Sequence, residues 1–404
     1  MSATIPAGYK QTEVGVIPGD WDVKRLSDVS EIRSGIAKNS NVFVNDPITV
    51  HYLRVANVQD GFLNLTEMSE IQVNRNDVKR YAVLPGDVLM NEGGDLDKLG
   101  RGAIWRGQFS PCINQNHVFV VRCKAATSPD YLNIWTSTAT ARRYFMVAGK
   151  QTTNLATINK SALSQLPVVL PPLSEQRAIA AALSDVDVLL AKLDQLVAKK
   201  RNLKQAAMQQ LLTGQTRLPG FSGAWEVKRL GNVVDFRKGQ LITEKDAVAG
   251  DVPVIAGGKK PSYFHNEPNR IGKTITVSAS GASAGYVAFF GSPIFASDCS
   301  TVSESKAYSI EYIYFQLLLK QETIYKAQTG GAQPHIHAVD LKPLEIGLCS
   351  KEEQTAIATL LSDMDTELAA LEARAAKTRA LKQGMMQELL TGRIRLVSGV
   401  YDRS

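Results

Sequence analysis

Several stretches carry residue types that catalyse reactions or bind cofactors, and each lacks part of its motif. Gly272-Lys273-Thr274 has the ending of a phosphate-binding loop, but Glu267 stands where that loop needs its first glycine. Gly93-Gly94-Asp95 and Ala256-Gly257-Gly258 are glycine-rich. Neither has the strand, Gly-x-Gly-x-x-Gly and helix order that cradles a dinucleotide. His335 and His337 could share a metal, yet no third ligand stands at a recognisable spacing. Ser280-Gly281-Ala282-Ser283 lacks the Gly-x-Ser-x-Gly frame of a nucleophile elbow. There is no Asp/Asn-Pro-Pro-Tyr amino-methylation motif and no Pro-Asp nuclease core followed by an acidic-x-Lys pair. The chain reads as non-catalytic, with no metal site.

Composition sets the outer limits. At 404 residues, two or more domains are expected, and 44% hydrophobic content suits a soluble globular chain. No apolar run is long enough to span a bilayer, and the N-terminus lacks a signal-peptide pattern. Cys112, Cys123, Cys299 and Cys349 are scattered without a Cys-x-x-Cys pair, as in a reduced, cytoplasmic protein. The formal charge of +7 permits nucleic-acid binding without requiring it.

The elements that position any site come in duplicate. Residues 176–218 and 354–396 align without a gap, with 25 of 43 identical, which marks a true internal repeat. Each copy reads as one long helix of about 55 Å at 1.5 Å per residue. Ser174 can cap the first after Pro171-Pro172, and Ser350 with Glu353 has capping-box spacing for the second. Gly214 and Gly392 supply the stops. Apolar residues recur every three or four positions, as in the seam between paired helices. They are Ile179, Leu183, Val186, Leu190, Leu193 and Val197 in the first copy. In the second they are Ile357, Leu361, Met364, Leu368, Leu371 and Ala375. A second repeat opens each half: Trp21–Gly35 and Trp225–Gly239 match at 8 of 15 positions.

Between these frames lie two dissimilar inserts. In the first, strands are predicted at 51–58, 87–92 and 117–123, and a helix from Ser128 to about Phe145. In the second, strands are predicted at 252–258, 273–280 and 286–290, and a helix over 308–326. Trp21, Trp225, Tyr131 and Tyr312 read as core anchors; Trp105 and Trp135 could be core or stacking platforms. The Gly-, Pro- and Ser-rich stretch 215–224 is a linker. The expected fold is α+β. Two mixed globular domains, 1–172 and 215–349, are separated by antiparallel spacer helices, 173–214 and 350–392. A tail follows at 393–404, and the two halves form an internal pseudo-twofold repeat.

In this order and in duplicate, several pieces resemble the specificity subunits of type I restriction–modification enzymes. They are TEVGVIPGDWDVKRL (12–26), LRVANVQDG (53–61), PGDVLMNEGGDLDKLGR (85–101) and LPVVLPPLSEQ (166–176). LLTG…RLPGFSG (211–223), WEVKRLG (225–231), ASGASAGYV (279–287) and FASD (295–298) complete the set. The second helix start, LEIGLCSKEEQ (344–354), departs by lacking the double proline. The resemblance implies a subunit that binds double-stranded DNA, with each insert a target recognition domain reading half of a split, asymmetric site. It implies docking of two methyltransferase (modification) subunits and of restriction subunits. S-adenosylmethionine, ATP and Mg²⁺ belong to those partners, and this chain needs no cofactor.

Base reading needs amides, guanidinium groups, amines and hydroxyls on loops at strand ends. In the first insert the candidates are Arg54, Asn57, Asn91, Lys98, Arg101, Gln115, Asn116 and His117. In the second they are Lys259, Lys260, Tyr263, His265, Arg270, Lys273, Ser280 and Ser283. Some of these would touch phosphates, which positions the protein without specifying sequence. Two other readings compete: a helical adaptor that ignores DNA, and the specificity subunit of a fused nuclease–methylase system.

Overall fold

The computed structural model describes residues 5–37, 46–96, 99–151, 156–330 and 333–396. They divide into two compact units: one from 1–191 and 376–404, the other from 192–375. Two unbroken helices, Leu173–Leu211 and Lys351–Leu389, each contribute residues to both units. Among the described residues no helix is long and apolar enough to cross a membrane.

Both helix starts follow from the local chain. The first begins at Leu173, so Ser174 lies inside it and is not its cap. The Pro172 carbonyl instead receives the amides of Glu175 and Gln176, at 2.9 and 3.0 Å. In the second, Ser350 Oγ accepts the Glu353 amide at 3.3 Å, half of the expected capping box. The Glu353 carboxylate serves another partner, described below. Gly214 and Gly392 stand just past the helix ends at φ of 71° and 69°, a conformation that costs a glycine little.

In the first unit a four-stranded antiparallel sheet runs in the order Ser30–Ser34, Val118–Cys123, Val88–Asn91, Gly102–Ile104. A three-stranded sheet has Pro47–Leu53 at its centre. Cys112–Asn114 lies parallel on one side and Ser69–Asn74 antiparallel on the other. The second unit repeats the plan. Its four-stranded sheet runs Arg237–Lys238, Cys299–Ser303, Thr274–Ser278, Val287–Phe290. Its three-stranded sheet centres on Val252–Ile255, with Phe295–Ala296 parallel and Tyr263–His265 antiparallel. Inserts with little sequence in common thus share one topology. The frames share a register too: Asp22–Arg25 pairs with Pro167–Leu170, and Glu226–Arg229 with Glu345–Leu348. Gly35 and Gly239 end these frames where a Cβ would fall about 2 Å from the Asn114 or Ser297 carbonyl oxygen, so only glycine fits.

Three predicted elements differ in extent. The strand expected at 51–58 stops at Leu53, because Asn57 Oδ1 accepts the Arg54 amide and turns 55–57 into a 3₁₀ helix. The helix from Ser128 is two helices, Pro129–Thr136 and Ala139–Ala148. The Ser137 and Thr138 hydroxyls bond back to carbonyls, and Thr138 caps the second helix. The helix predicted over 308–326 likewise divides at Lys320.

In the first unit's core, Ile179, Ala180 and Leu183 of one long helix bury with Leu389, the last residue of the other, and Leu390 just beyond it, around Trp21, Tyr131 and Trp135. Asp187 and Lys382 pair there at 2.6 Å. In the second unit, Ile357 and Leu361 bury with Met208 and Leu211, around Tyr312, and half-buried Met364 and Trp225 pack against them. There Lys200 pairs with Glu367 and Lys204 with Asp365, an antiparallel register within that unit. Leu193, Val197, Leu368 and Ala375 are buried, whereas Val186, Leu190 and Leu371 are half-buried. Trp105 is fully buried in a separate cluster and so is not a stacking platform.

Each unit carries the same polar fastening. Glu175 is 1% exposed and accepts Arg395 Nε and Nη2 at 2.8 Å, the Leu396 amide at 3.1 Å and Trp21 Nε1 at 3.2 Å. Arg395 also reaches Asp20 and lies over the Trp21 ring. In the other unit Glu353, equally buried, accepts Arg217 Nε and Nη2 at 2.5 and 2.6 Å, and Arg217 lies over Trp225. Gln176 accepts the Ser128 amide and Gln354 the Ser309 amide, at 2.9 and 3.0 Å. The segment after each long helix is thereby tied to the start of the other.

Candidate nucleic-acid interface

The sheets bring several first-insert candidates to one side of the first unit. Gln115, Asn116 and His117 form the turn between strands Cys112–Asn114 and Val118–Cys123. Gln115 Oε1 accepts the Val55 amide at 3.4 Å, which links this turn to Arg54 and Asn57. His117 is exposed; its Nδ1 lies 2.7 Å from Glu92, and Asn116 Nδ2 lies 3.3 Å from its Nε2. Arg101 helps line a small pocket with Asp60, Asn133 and Arg142. Lys98 lies outside the described residues.

Two amides must be reassigned. Asn57 is buried; its Oδ1 takes the Arg54 amide, and its Nδ2 donates to the carbonyls of Asn64 and Glu67. Asn91 is buried and donates to the Val55 and Val58 carbonyls. Both satisfy backbone groups where the chain leaves a sheet; Asn57 is used at both its amide atoms, and Asn91 Oδ1, though without a partner, is buried away from the surface where a base would approach.

The second unit makes similar demands. Arg270 spends its guanidinium on Thr301 Oγ1 and the carbonyls of Asn269 and Lys238, at 2.8–2.9 Å, and so is a strut. Tyr263 donates to the Ile242 carbonyl at 2.5 Å, and burial raises its pKa. Ser280 donates to Asp298. His265 Nδ1 accepts the Val248 amide at 3.0 Å, with its ring edge-on to Phe295. Lys273 is paired with Glu311 at 2.5 Å, and that hydrogen bond raises its pKa. Lys259 and Lys260 are exposed, Lys259 over the Tyr286 ring, and Ser283 is half-exposed. These last three, with Lys273, Gln115, Asn116, His117 and Arg101, retain solvent-facing surface.

A concentration of positive charge escaped the sequence reading. Arg33, Arg80 and Lys160 line one pocket of about 360 Å³ in the first unit. The three are far apart in sequence; the available signal was Arg33, which recurs as Arg237 in the Trp-led repeat. Burial pushes the four cysteine thiols up to about 12, so they stay protonated and unreactive near neutral pH. Among the described residues, no group of three or more His, Cys, Asp and Glu could hold a metal. His335 and His337 stack with ring centroids 6.2 Å apart.

The arrangement, two like folds with unlike polar loops, has counterparts among known proteins. The family model described as "Type I restriction modification DNA specificity domain" matches residues 18–199 and 223–379. A Methanocaldococcus jannaschii protein provisionally named the type I restriction enzyme MjaX specificity subunit is 26% identical over 96% of this chain and 97% of its own length. The MjaVIII specificity subunit of the same organism is 22% identical over 94% of both. The crystal structure of the S subunit of a type I restriction–modification system from M. genitalium superposes with a TM-score of 0.64. It is 14% identical and covers 91% of this chain and 96% of that one. The two family matches fall one on each half, and together they take in most of the sequence. The chain therefore belongs to the type I restriction–modification DNA specificity family.

Proposed function

We propose that the chain reads a bipartite, asymmetric DNA site, one half-site per recognition domain, and leaves the chemistry to partner polypeptides. The recognition domains lie within 1–172 and 215–349, the spacer segments 173–214 and 350–392 hold the two long helices with the turns that end them, and 393–404 is a tail. The observation that carries the reading is the pairing of one shared sheet topology with unlike loops. A common scaffold with different side chains at equivalent strand ends reads two different base runs. Gln115, Asn116, His117 and Arg101 face one half-site; Lys259, Lys260 and Ser283 face the other. The two unbroken 39-residue helices act as an antiparallel coiled-coil spacer and relate the two halves as a pseudo-twofold repeat. The helical frame docks two modification subunits, and restriction subunits join them in the cytoplasm, where the DNA is. The partners bring S-adenosylmethionine, ATP and Mg²⁺.

The test is to express the chain with its methyltransferase partner in a host free of other modification and to map methylated bases genome-wide. The reading expects one motif of two different short runs separated by unread positions. A continuous motif, or no sequence-specific methylation, would refute it.

A further inference from the structure

The pocket walled by Arg33, Arg80 and Lys160 has the chemistry of an anion site. Among the described residues no carboxylate lines it. Arg33 Nη1 donates to the Arg80 carbonyl at 3.3 Å, while its Nε and Nη2 are shielded from water and have no hydrogen-bond acceptor. Glu31 comes within 3.5 Å of Nε without hydrogen-bond geometry. Two desolvated guanidinium N–H groups without acceptors are costly, and a bidentate oxyanion is the ligand that relieves them. The Arg33 side chain is 26% exposed and lines the pocket, so rotation about its outer torsions can present both groups to an anion. Arg80 lies over the Tyr81 ring, 5.2 Å from its centroid, and Lys160 is exposed at the first position of a short helix.

The floor of the pocket adds a reason to look to DNA. It includes Gly35 and Asn114, whose backbones are locked together: the Ile36 amide donates to the Asn114 carbonyl at 3.0 Å. Asn114 directly precedes the Gln115–His117 turn. A group held in this pocket would therefore fix the position of that turn.

We propose that Arg33, Arg80 and Lys160 seat a backbone phosphate of the DNA, setting the register in which the neighbouring Gln115–His117 turn meets the bases. The inference rests on the DNA-reading function above. The same chemistry would suit free inorganic phosphate, which the test separates.

The experiment uses the full chain in complex with its methyltransferase partner. Arg80→Ala and Lys160→Ala, both at exposed positions, are titrated with a duplex bearing the mapped motif and with one of scrambled sequence, across salt. Each substitution is expected to weaken both duplexes by the same factor and to lower the salt slope by about one. The affinity lost between about 50 and 200 mM salt then shrinks about threefold per contact removed. The methylated motif should stay unchanged. Unaltered duplex affinity and slope in both variants would overturn the proposal. So would inorganic phosphate binding to the wild type, abolished in the variants, with duplex binding unaffected: that result assigns the pocket to a small anion. If the wild-type complex binds neither duplex, the DNA-reading function itself fails, and this inference with it.

Discussion

Replacing Glu175 with Ala isolates the fastening of the first unit. The carboxylate is 1% exposed and serves four donors: two from Arg395, the Leu396 amide and the Trp21 indole. Its removal leaves Arg395, whose side chain is 26% exposed, with Asp20 as its remaining carboxylate, and leaves the amide and the indole without an acceptor. Breaking a buried pair from one side costs about 3–5 kcal/mol. Allowing for Arg395's partial exposure and its retained Asp20 contact, about 3 kcal/mol is expected, roughly a hundredfold in the opening equilibrium. A chain of two units need not unfold in one step, so a single melting temperature is the wrong assay. Native-state hydrogen exchange resolves the units. Amides of Val168, Val169 and Tyr131 should lose protection by about that factor, while those of Ile346 and Tyr312 keep theirs. Glu353→Ala should reverse the pattern. Equal loss in both units, or a loss in the first below about 0.5 kcal/mol, the range of an ordinary surface substitution, would refute a unit-specific lock.

Other predictions follow from the same geometry. Asn57→Ala should destabilise the first unit by about 2 kcal/mol, because it leaves the Arg54 amide and the Asn64 carbonyl without their partner and the Glu67 carbonyl with only Arg54 Nη2 at 3.4 Å, and should leave the recognised bases unchanged. Native-state hydrogen exchange of first-unit amides and methylation mapping of one preparation check both halves of that statement; an altered motif would reinstate Asn57 as a reader. Arg395 holds the Asp20 carboxyl below its usual pKa, chiefly through their hydrogen bond. A depressed folded-state pKa means that this contribution is present above the unfolded value of about 4 and lost as pH falls through the folded one. Stability measured on descending pH should therefore fall less steeply for Asp20→Asn than for the wild type; parallel acid limbs would count against the linkage. The effect is modest because Asp20 is half-exposed.

What could be read from the sequence was local. Both long helices were visible because their interiors hold almost no Gly or Pro and end in glycine stops. The start of the first was off by a residue, since Ser174 suggested a side-chain cap where the Pro172 carbonyl serves. The shared topology of the inserts was invisible: its pairings, such as Phe119 with both Ser34 and Met90, join distant segments. The fastening was half visible. Glu175, Glu353, Arg217 and Arg395 all stand at repeated positions, yet no periodicity says that Arg217 meets Glu353, across 136 residues, and not Glu175. The reading residues were least legible. An amide at a strand end looks the same whether it faces a base or, as with Asn57 and Asn91, closes a turn.

The central claim is that the duplicated helices set the distance between two reading heads. Matched insertions of four helix-forming residues after Ala191 and after Ala375 would lengthen both helices by about 6 Å, or one to two base-pair rises. Methylation mapping of this variant should return the same two base runs with the unread gap widened by one or two positions. The same runs at the original gap would contradict the account.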